Sequence, residues 1–218
     1  MHLILFERYK RLLERYPNTN RVHGLKGIHQ AHIEAAKKCY TKMFWVIDGD
    51  ADLLPEFNLD HKVSEYDLDC VHVWRSRNPI NDLVYGYGGV KLLPRRLTMN
   101  VDVSSTDMTT SISDRFKAMP FVSNVTNFNT DEFSTWKSAF RECAKLSSKV
   151  IDRQEEGETN ERLKVWTTRA HGRFCEFAIR GARAGMEFGL SSGSDLRLIN
   201  DFDWLQERFH MDEMNDTI

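Results

Sequence analysis

The sequence lacks any Cys-x-x-Cys pair; its four cysteines, Cys39, Cys70, Cys143 and Cys175, stand far apart. This spacing favours buried free thiols over zinc ligands or disulfides, and so a reducing compartment. Neither sign of charge is in excess. Lys and Arg number 30 against 32 Asp and Glu, so no global field calls for a nucleic-acid partner, and only a local basic patch stays open. No apolar run is long enough to span a membrane, and the apolar opening Met1 to Phe6 passes at once into charged sequence. That opening is too short for a signal peptide, and the expectation is a soluble cytoplasmic protein. There is no Gly-Lys-Ser/Thr phosphate loop, no internal repeat and no low-complexity segment.

What is there begins with Phe44-Trp45-Val46-Ile47, which runs straight into Asp48-Gly49-Asp50-Ala51-Asp52. Aromatic and β-branched residues favour a strand, and an unbroken apolar run suits one covered on both faces. Ligands of open α/β sheets gather at the carboxyl ends of strands. Carboxylates there suit a hard divalent cation, which commonly also holds phosphate oxygens. The competing reading is a plain acidic surface turn.

Around this run the pattern predicts a helix over residues 3–16 and another from about Lys26 to Tyr40. Strands follow at 43–47 and from Leu68 to Trp74, with Arg75 onward as loop. A glycine-rich turn, Tyr85-Gly86-Tyr87-Gly88-Gly89, leads into the strand Val90 to Leu93. Phe121 to Phe128 holds a further strand. A helix capped by Thr130 or Asp131 then carries the stripe Phe133, Trp136, Ala139, Phe140, Cys143, Leu146 and Val150. Helices are predicted near 156–169, 173–189 and 201–209. The expected fold is an α/β core with a mixed sheet over residues 1–152 and a helical C-terminal layer over 153–218.

Several groups could carry chemistry. Asp50 or Asp52 could coordinate a cation, while Asp48 could instead accept hydrogen bonds from a ribose or base. Gly88 and Gly89 either admit a ligand close to the backbone or form a tight hairpin turn. Arg75, Arg77, Arg95 and Arg96, each past a predicted strand end, could fork onto phosphates or be simply solvated. Asp131 and Glu132 fall in the first turn of a helix, where a carboxylate is favoured by the dipole and a catalytic base could also sit. His29 and His32 share a helix face; these, His72 and His171 are metal-ligand candidates only in the sense that any histidine is.

Asp48-Gly49-Asp50 after an apolar strand resembles the Asp-x-Asp motif of GT-A-fold nucleotide-sugar glycosyltransferases. More narrowly, the runs Val71 to Pro79, Tyr85 to Lys91 and Phe133 to Glu142 look like glycosyltransferase-like proteins of tailed phages and bacteria; the likeness covers roughly residues 20–170. The resemblance implies that Asp48 contacts the nucleotide, that Asp50, with Asp48 and Asp52, holds Mn²⁺ or Mg²⁺, and that Gly88 and Gly89 lie near the donor sugar. It implies Asp131 or Glu132 as the base of an inverting reaction. A UDP-sugar is the favoured donor, and the acceptor hydroxyl could belong to a hydroxymethylated base in phage DNA, with Arg75, Arg77, Arg95 and Arg96 as phosphate contacts. A GT-A fold opens with a strand, a helix and a second strand; this chain starts almost at its first helix, so either the true start lies upstream or the nucleotide half is shortened. The alternatives are a non-catalytic binding subunit and a metal-dependent nucleotidyl or phosphoryl transferase.

Overall fold

Aromatic and β-branched runs give strands, and apolar residues at helical spacing give helices, in the computed structural model, which describes residues 2–86, 88–150 and 155–215. Two units form, Met1–Asn78 with Val84–Asn127, and Pro79–Leu83 with Phe128–Ile218. The boundary expected at residue 152 and the turn residue Tyr87 lie outside the described residues. The long helix after the last strand belongs with the C-terminal helices.

The first unit contains α1 (His2–Arg15), α2 (Ile28–Lys37), β1 (Met43–Ile47), β2 (Ala51–Leu53), β3 (Val71–Arg77), β4 (Val84–Tyr85), β5 (Val90–Pro94), α3 (Arg95–Met99), α4 (Met108–Ser111) and β6 (Phe116–Thr126). The strands form one mixed sheet in the order β1-β5-β3-β6-β2, with β4 also on β3. Among the described residues only β3 and β6 pair in parallel; the other pairs are antiparallel. The α/β class and mixed sheet are therefore as the sequence predicts.

β1 sits at one end of that order, yet its apolar run is explained. Phe44 and Val46 face a core with Ala36, Val71, Val73 and Leu93. Met43, Trp45 and Ile47 face another with Phe57, Trp74, Val90 and Leu92. Successive strand side chains point to opposite faces, so both faces need apolar residues.

β1 and β2 occupy opposite ends of the strand order but are separated only by Asp48, Gly49 and Asp50. Five strands side by side in a flat sheet would set the outer two about 19 Å apart, beyond the roughly 14 Å that the link can reach. Ala51 N–H in fact donates to the Asp48 carbonyl at 2.9 Å, closing a tight turn. The sheet must therefore curl until its two ends meet at the acidic residues.

The glycine segment is not a hairpin. β4 and β5 lie along the same strand, β3, with Ser76 opposite Tyr85 and Val73 opposite Lys91. From one pair to the other β3 advances three residues and its partner six. β4 and β5 are thus two stretches of one antiparallel partner of β3, interrupted by a bulge that includes Gly88 and Gly89. A second correction concerns Arg75 and Arg77. They do not follow a strand end; both lie within β3, exposed, with buried Ser76 between them. Strand pairing with β6 carries β3 past the apolar part of its sequence.

The second unit contains α5 (Glu132–Ser148), α6 (Glu156–Thr168), α7 (Cys175–Leu190) and α8 (Phe202–Asn215). Its core joins Trp136, Phe140 and Ala144 of α5 to Ala184, Ile199, Leu205 and Phe209. Trp136 Nε1–H donates to Asp212 at 2.8 Å, so its one polar atom is satisfied. Gly181, Gly185 and Gly189 recur every four residues along α7 and press on α5. A Cβ on Gly181 or Gly185 would stand 2.3 or 2.2 Å from the carbonyl oxygens of Trp136 and Phe140. Among the described residues no helix is long and apolar enough to cross a membrane.

Candidate functional site

The acidic turn is held from two sides. Asp48 N–H donates to the Gly89 carbonyl at 2.8 Å, tying the turn to the bulge, and Asn127 N–H donates to the Asp50 carbonyl at 2.8 Å. On the other side lies α1. Arg8 donates to the Gly49 carbonyl at 3.5 Å, Arg11 to the Asp52 carboxylate at 3.1 Å, and Arg15 to the Leu54 carbonyl at 3.1 Å. Arginines at such spacing share one helix face. Asp52 is thereby an ion-paired β2 residue, also reached by Asn127 Nδ2 at 3.4 Å.

The centre of the site is a residue that the sequence reasoning passed over. Lys91, the second residue of β5, is 2 % exposed, and its ammonium lies 2.9 Å from both carboxylate oxygens of Asp48. It also donates to the Gly88 carbonyl. The available signal was a lone lysine among Val90, Leu92 and Leu93 in an otherwise apolar strand. A lysine is rarely buried without a partner.

Gly88 and Gly89 serve this arrangement in different ways. Gly88 has φ +71°, a conformation glycine adopts without the steric cost of a side chain. Gly89 is needed for space: a Cβ would stand 3.0 Å from Asn124 Nδ2 and 3.3 Å from Thr126 Oγ1. Asn124 itself accepts from Ser76 at 2.8 Å and donates to Thr126 at 3.0 Å. This buried polar network holds the bulge in place.

Asp50 lies on the same turn. Burial first, and the neighbouring Asp48 charge second, push its carboxyl above the usual carboxylate range. From α2, His29 and His32 are both 5 % exposed. Burial, then the Lys91 charge, lowers His32 to about 4. Burial also lowers His29, against the pull of Asp102 and Asp107. His72 is a core histidine, bonded through Nδ1 to the Cys70 carbonyl at 3.1 Å and ringed by His61 and Trp74. His171, in the second unit, pairs with Asp82 at 2.9 Å.

No family model matches the chain, and no curated protein or solved structure matches it. The candidate site accordingly rests on its own geometry.

The remaining predicted residues lie elsewhere. Arg95 opens α3 and donates to the Ala36 carbonyl at 2.9 Å, a structural bond between helices. Asp131 and Glu132 belong to the second unit. Asp131 is the N-cap of α5 and accepts from Ser134 N–H at 2.7 Å, Ser134 Oγ at 2.9 Å and Thr130 Oγ1 at 3.1 Å. Burial opposes its charge, but these hydrogen bonds prevail and hold the carboxyl below the usual range. A carboxylate so occupied is a weaker proton acceptor, and the cap by itself accounts for Asp131. Glu132 is exposed in the first turn, where the helix dipole accounts for it.

A divalent cation can be tested against this donor set. Among the described residues no group of three or more His, Cys, Asp or Glu side chains could hold a metal ion. A zinc-type closed site is therefore not formed by them. Asp50 with Asp48 fits the other pattern, in which one or two carboxylates and the oxygens of a phosphorylated substrate share Mg²⁺ or Mn²⁺.

Proposed function

We propose that the first unit binds a nucleoside-diphosphate sugar at the Asp48–Asp50 turn and transfers the sugar to an acceptor hydroxyl, as a GT-A-like glycosyltransferase. One observation carries this reading. The strand-end Asp-Gly-Asp turn is locked to the glycine bulge, and it brings a buried lysine and two carboxylates together at a sheet end. Asp50 and Asp48 would hold Mg²⁺ or Mn²⁺, which supplies Lewis-acid neutralisation of the leaving diphosphate. Lys91 fixes the direction of Asp48 and adds a buried positive charge toward the same leaving group. Gly88 and Gly89 carry no side chains beside Asp48, so that a ligand can approach the backbone there.

The DNA-acceptor form of the proposal rests on Arg75 and Arg77. They are exposed at alternate positions of β3, a spacing that aims both to one face and suits two phosphates.

A second reading, a glycosyltransferase-like binding protein without turnover, is favoured by one contact. Both Asp48 oxygens already face the Lys91 ammonium, which competes with a metal ion for them. Calorimetry with UDP-glucose, with and without Mn²⁺, followed by a transfer assay on DNA bearing hydroxymethylcytosine, separates the readings. Manganese-dependent binding lost in Asp50→Asn, together with sugar transfer, is the expected result. Metal-independent binding without transfer or donor hydrolysis favours the second reading, and no binding of UDP-glucose refutes both.

A further inference from the structure

His32 presents a lone pair that no group uses among the described residues. Its Nδ1 lies 2.8 Å from the Ile28 carbonyl. A carbonyl oxygen only accepts, so in the neutral ring the hydrogen must be on Nδ1, leaving Nε2 bare. Nε2 is fully buried and has no hydrogen-bond partner; the same is true of His29 Nε2, three residues earlier on the same face of α2. A buried acceptor left unmatched costs about 1–3 kcal/mol, so the bare Nε2 of His32, beside a second buried and unmatched imidazole nitrogen, marks a place built for a hydrogen-bond donor.

Two kinds of group could meet this lone pair: a metal ion, which would accept it, and a ligand hydroxyl, which would donate a hydrogen bond to it. Lys91 is close enough to disfavour positive charge at His32. A second cation there would meet the same repulsion, and no third ligand side chain joins the pair among the described residues. A neutral O–H group meets neither obstacle. It would also lie near Asp48, whose charge is felt at His32.

We infer that His32 Nε2 accepts a hydrogen bond from a hydroxyl of a bound sugar or ribose, with His29 Nε2 lining the same recess. The choice of ligand class rests on the glycosyltransferase reading; the bare Nε2 does not. Here His32 is a positioning residue that orients the ligand and takes no proton.

The test is nitrogen-15 spectroscopy of the histidine side chains in the full chain, titrated separately with UDP-glucose, D-glucose, D-ribose, sulfate and Zn²⁺. Expected are a resting His32 with hydrogen on Nδ1, and a shift of its Nε2 signal with the hydroxylated probes only. His32→Leu should weaken UDP-glucose on the order of tenfold, the value of one buried hydrogen bond. His32→Gln, which keeps an acceptor near the Nε2 position, should restore most of that loss. An Nε2 signal that no sugar moves means a bound water only and overturns the inference, as does a shift with Zn²⁺ or sulfate alone. The wild-type signal decides even where a variant fails to fold. If UDP-glucose binds by calorimetry while His32 stays unmoved and His32→Leu binds equally well, this inference falls and the proposed function stands. If UDP-glucose does not bind but glucose or ribose moves Nε2, the proposed function falls and this inference stands.

Discussion

Lys91 and Asp48, 43 residues apart, form an ion pair whose partners are unequally buried: the lysine side chain is 2 % exposed and the aspartate side chain 33 %. The inequality matters because a charge left unpaired in the interior cannot recover its hydration, whereas one at the edge can.

Removing either partner should therefore have different costs. Asp48→Asn strands a buried ammonium and should destabilise by about 3 kcal/mol. Lys91→Met leaves a carboxylate that can turn to water and should cost about 1–2 kcal/mol. Urea unfolding of both single variants and the double variant measures the order and the coupling. A larger loss for Lys91→Met would mean that the pair does not control the stability of the turn.

Asp50 makes the opposite kind of prediction. Its folded carboxyl is raised, by burial and then by Asp48. The protonated form is thus the one that folding favours. That contribution is present below the unfolded value and is lost as pH rises through the raised one. At neutral pH the charge is a burden, and Asp50→Asn should stabilise the fold by roughly 1 kcal/mol, a typical gain from relieving such a site. The gain should vanish in acid, where wild-type Asp50 is itself neutral. Thermal melts at pH 7 and pH 3 check this, and a destabilised Asp50→Asn at pH 7 would refute it.

His32 should make the fold sensitive to mild acid. It stays neutral down to about 4 in the folded chain, while the unfolded chain takes up the proton near 6.5. Between those values the unfolded state binds more protons, so stability falls as pH falls, by on the order of 3 kcal/mol in all. His32→Gln should flatten this part of the profile. It should not abolish it, because burial lowers His29 and His72 in the same direction. Identical stability profiles for wild type and His32→Gln from pH 7 to pH 4 would exclude His32 as the source.

In the second unit, Gly185→Ala would bring a methyl to 2.2 Å from the Phe140 carbonyl oxygen. Backbone cannot yield as a side chain does, so the overpacking should cost about 2–3 kcal/mol despite the better helix propensity of alanine. Gly193→Ala, with nothing within 4 Å of the new methyl, should stay within about 0.5 kcal/mol. Equal melting temperatures for the two variants would show that α5 and α7 are not in close backbone contact.

Local pattern alone determined a good deal. The apolar run 43–47, the amphipathic opening and the stripe from Phe133 to Leu146 each named their element, because backbone preference and side-chain period act over a few residues. Asp131 was legible as a cap for the same reason. Thr130 was the other cap candidate, and its hydroxyl instead supports Asp131.

The acidic turn and the glycines of the site were legible in the sequence, and Lys91 was not. Asp48 and Asp50 announce themselves as carboxylates at a strand end, and their position at one turn of the sheet follows from adjacency in the chain. What they meet there could not be inferred locally. Lys91 lies beside Asp48 because β1 and β5 pair antiparallel with Ile47 opposite Val90. The glycines form a bulge and not a hairpin because β4 and β5 share β3. His32 comes near both because α2 packs on that face of the curled sheet. Strand pairing and helix packing join residues distant in sequence, and the partner, charge state and free lone pair of each polar group are properties of that assembly. The sequence by itself determined where the carboxylates stand along the chain; only the tertiary structure decided which neighbour neutralises Asp48 and which nitrogen of His32 is left to receive a ligand.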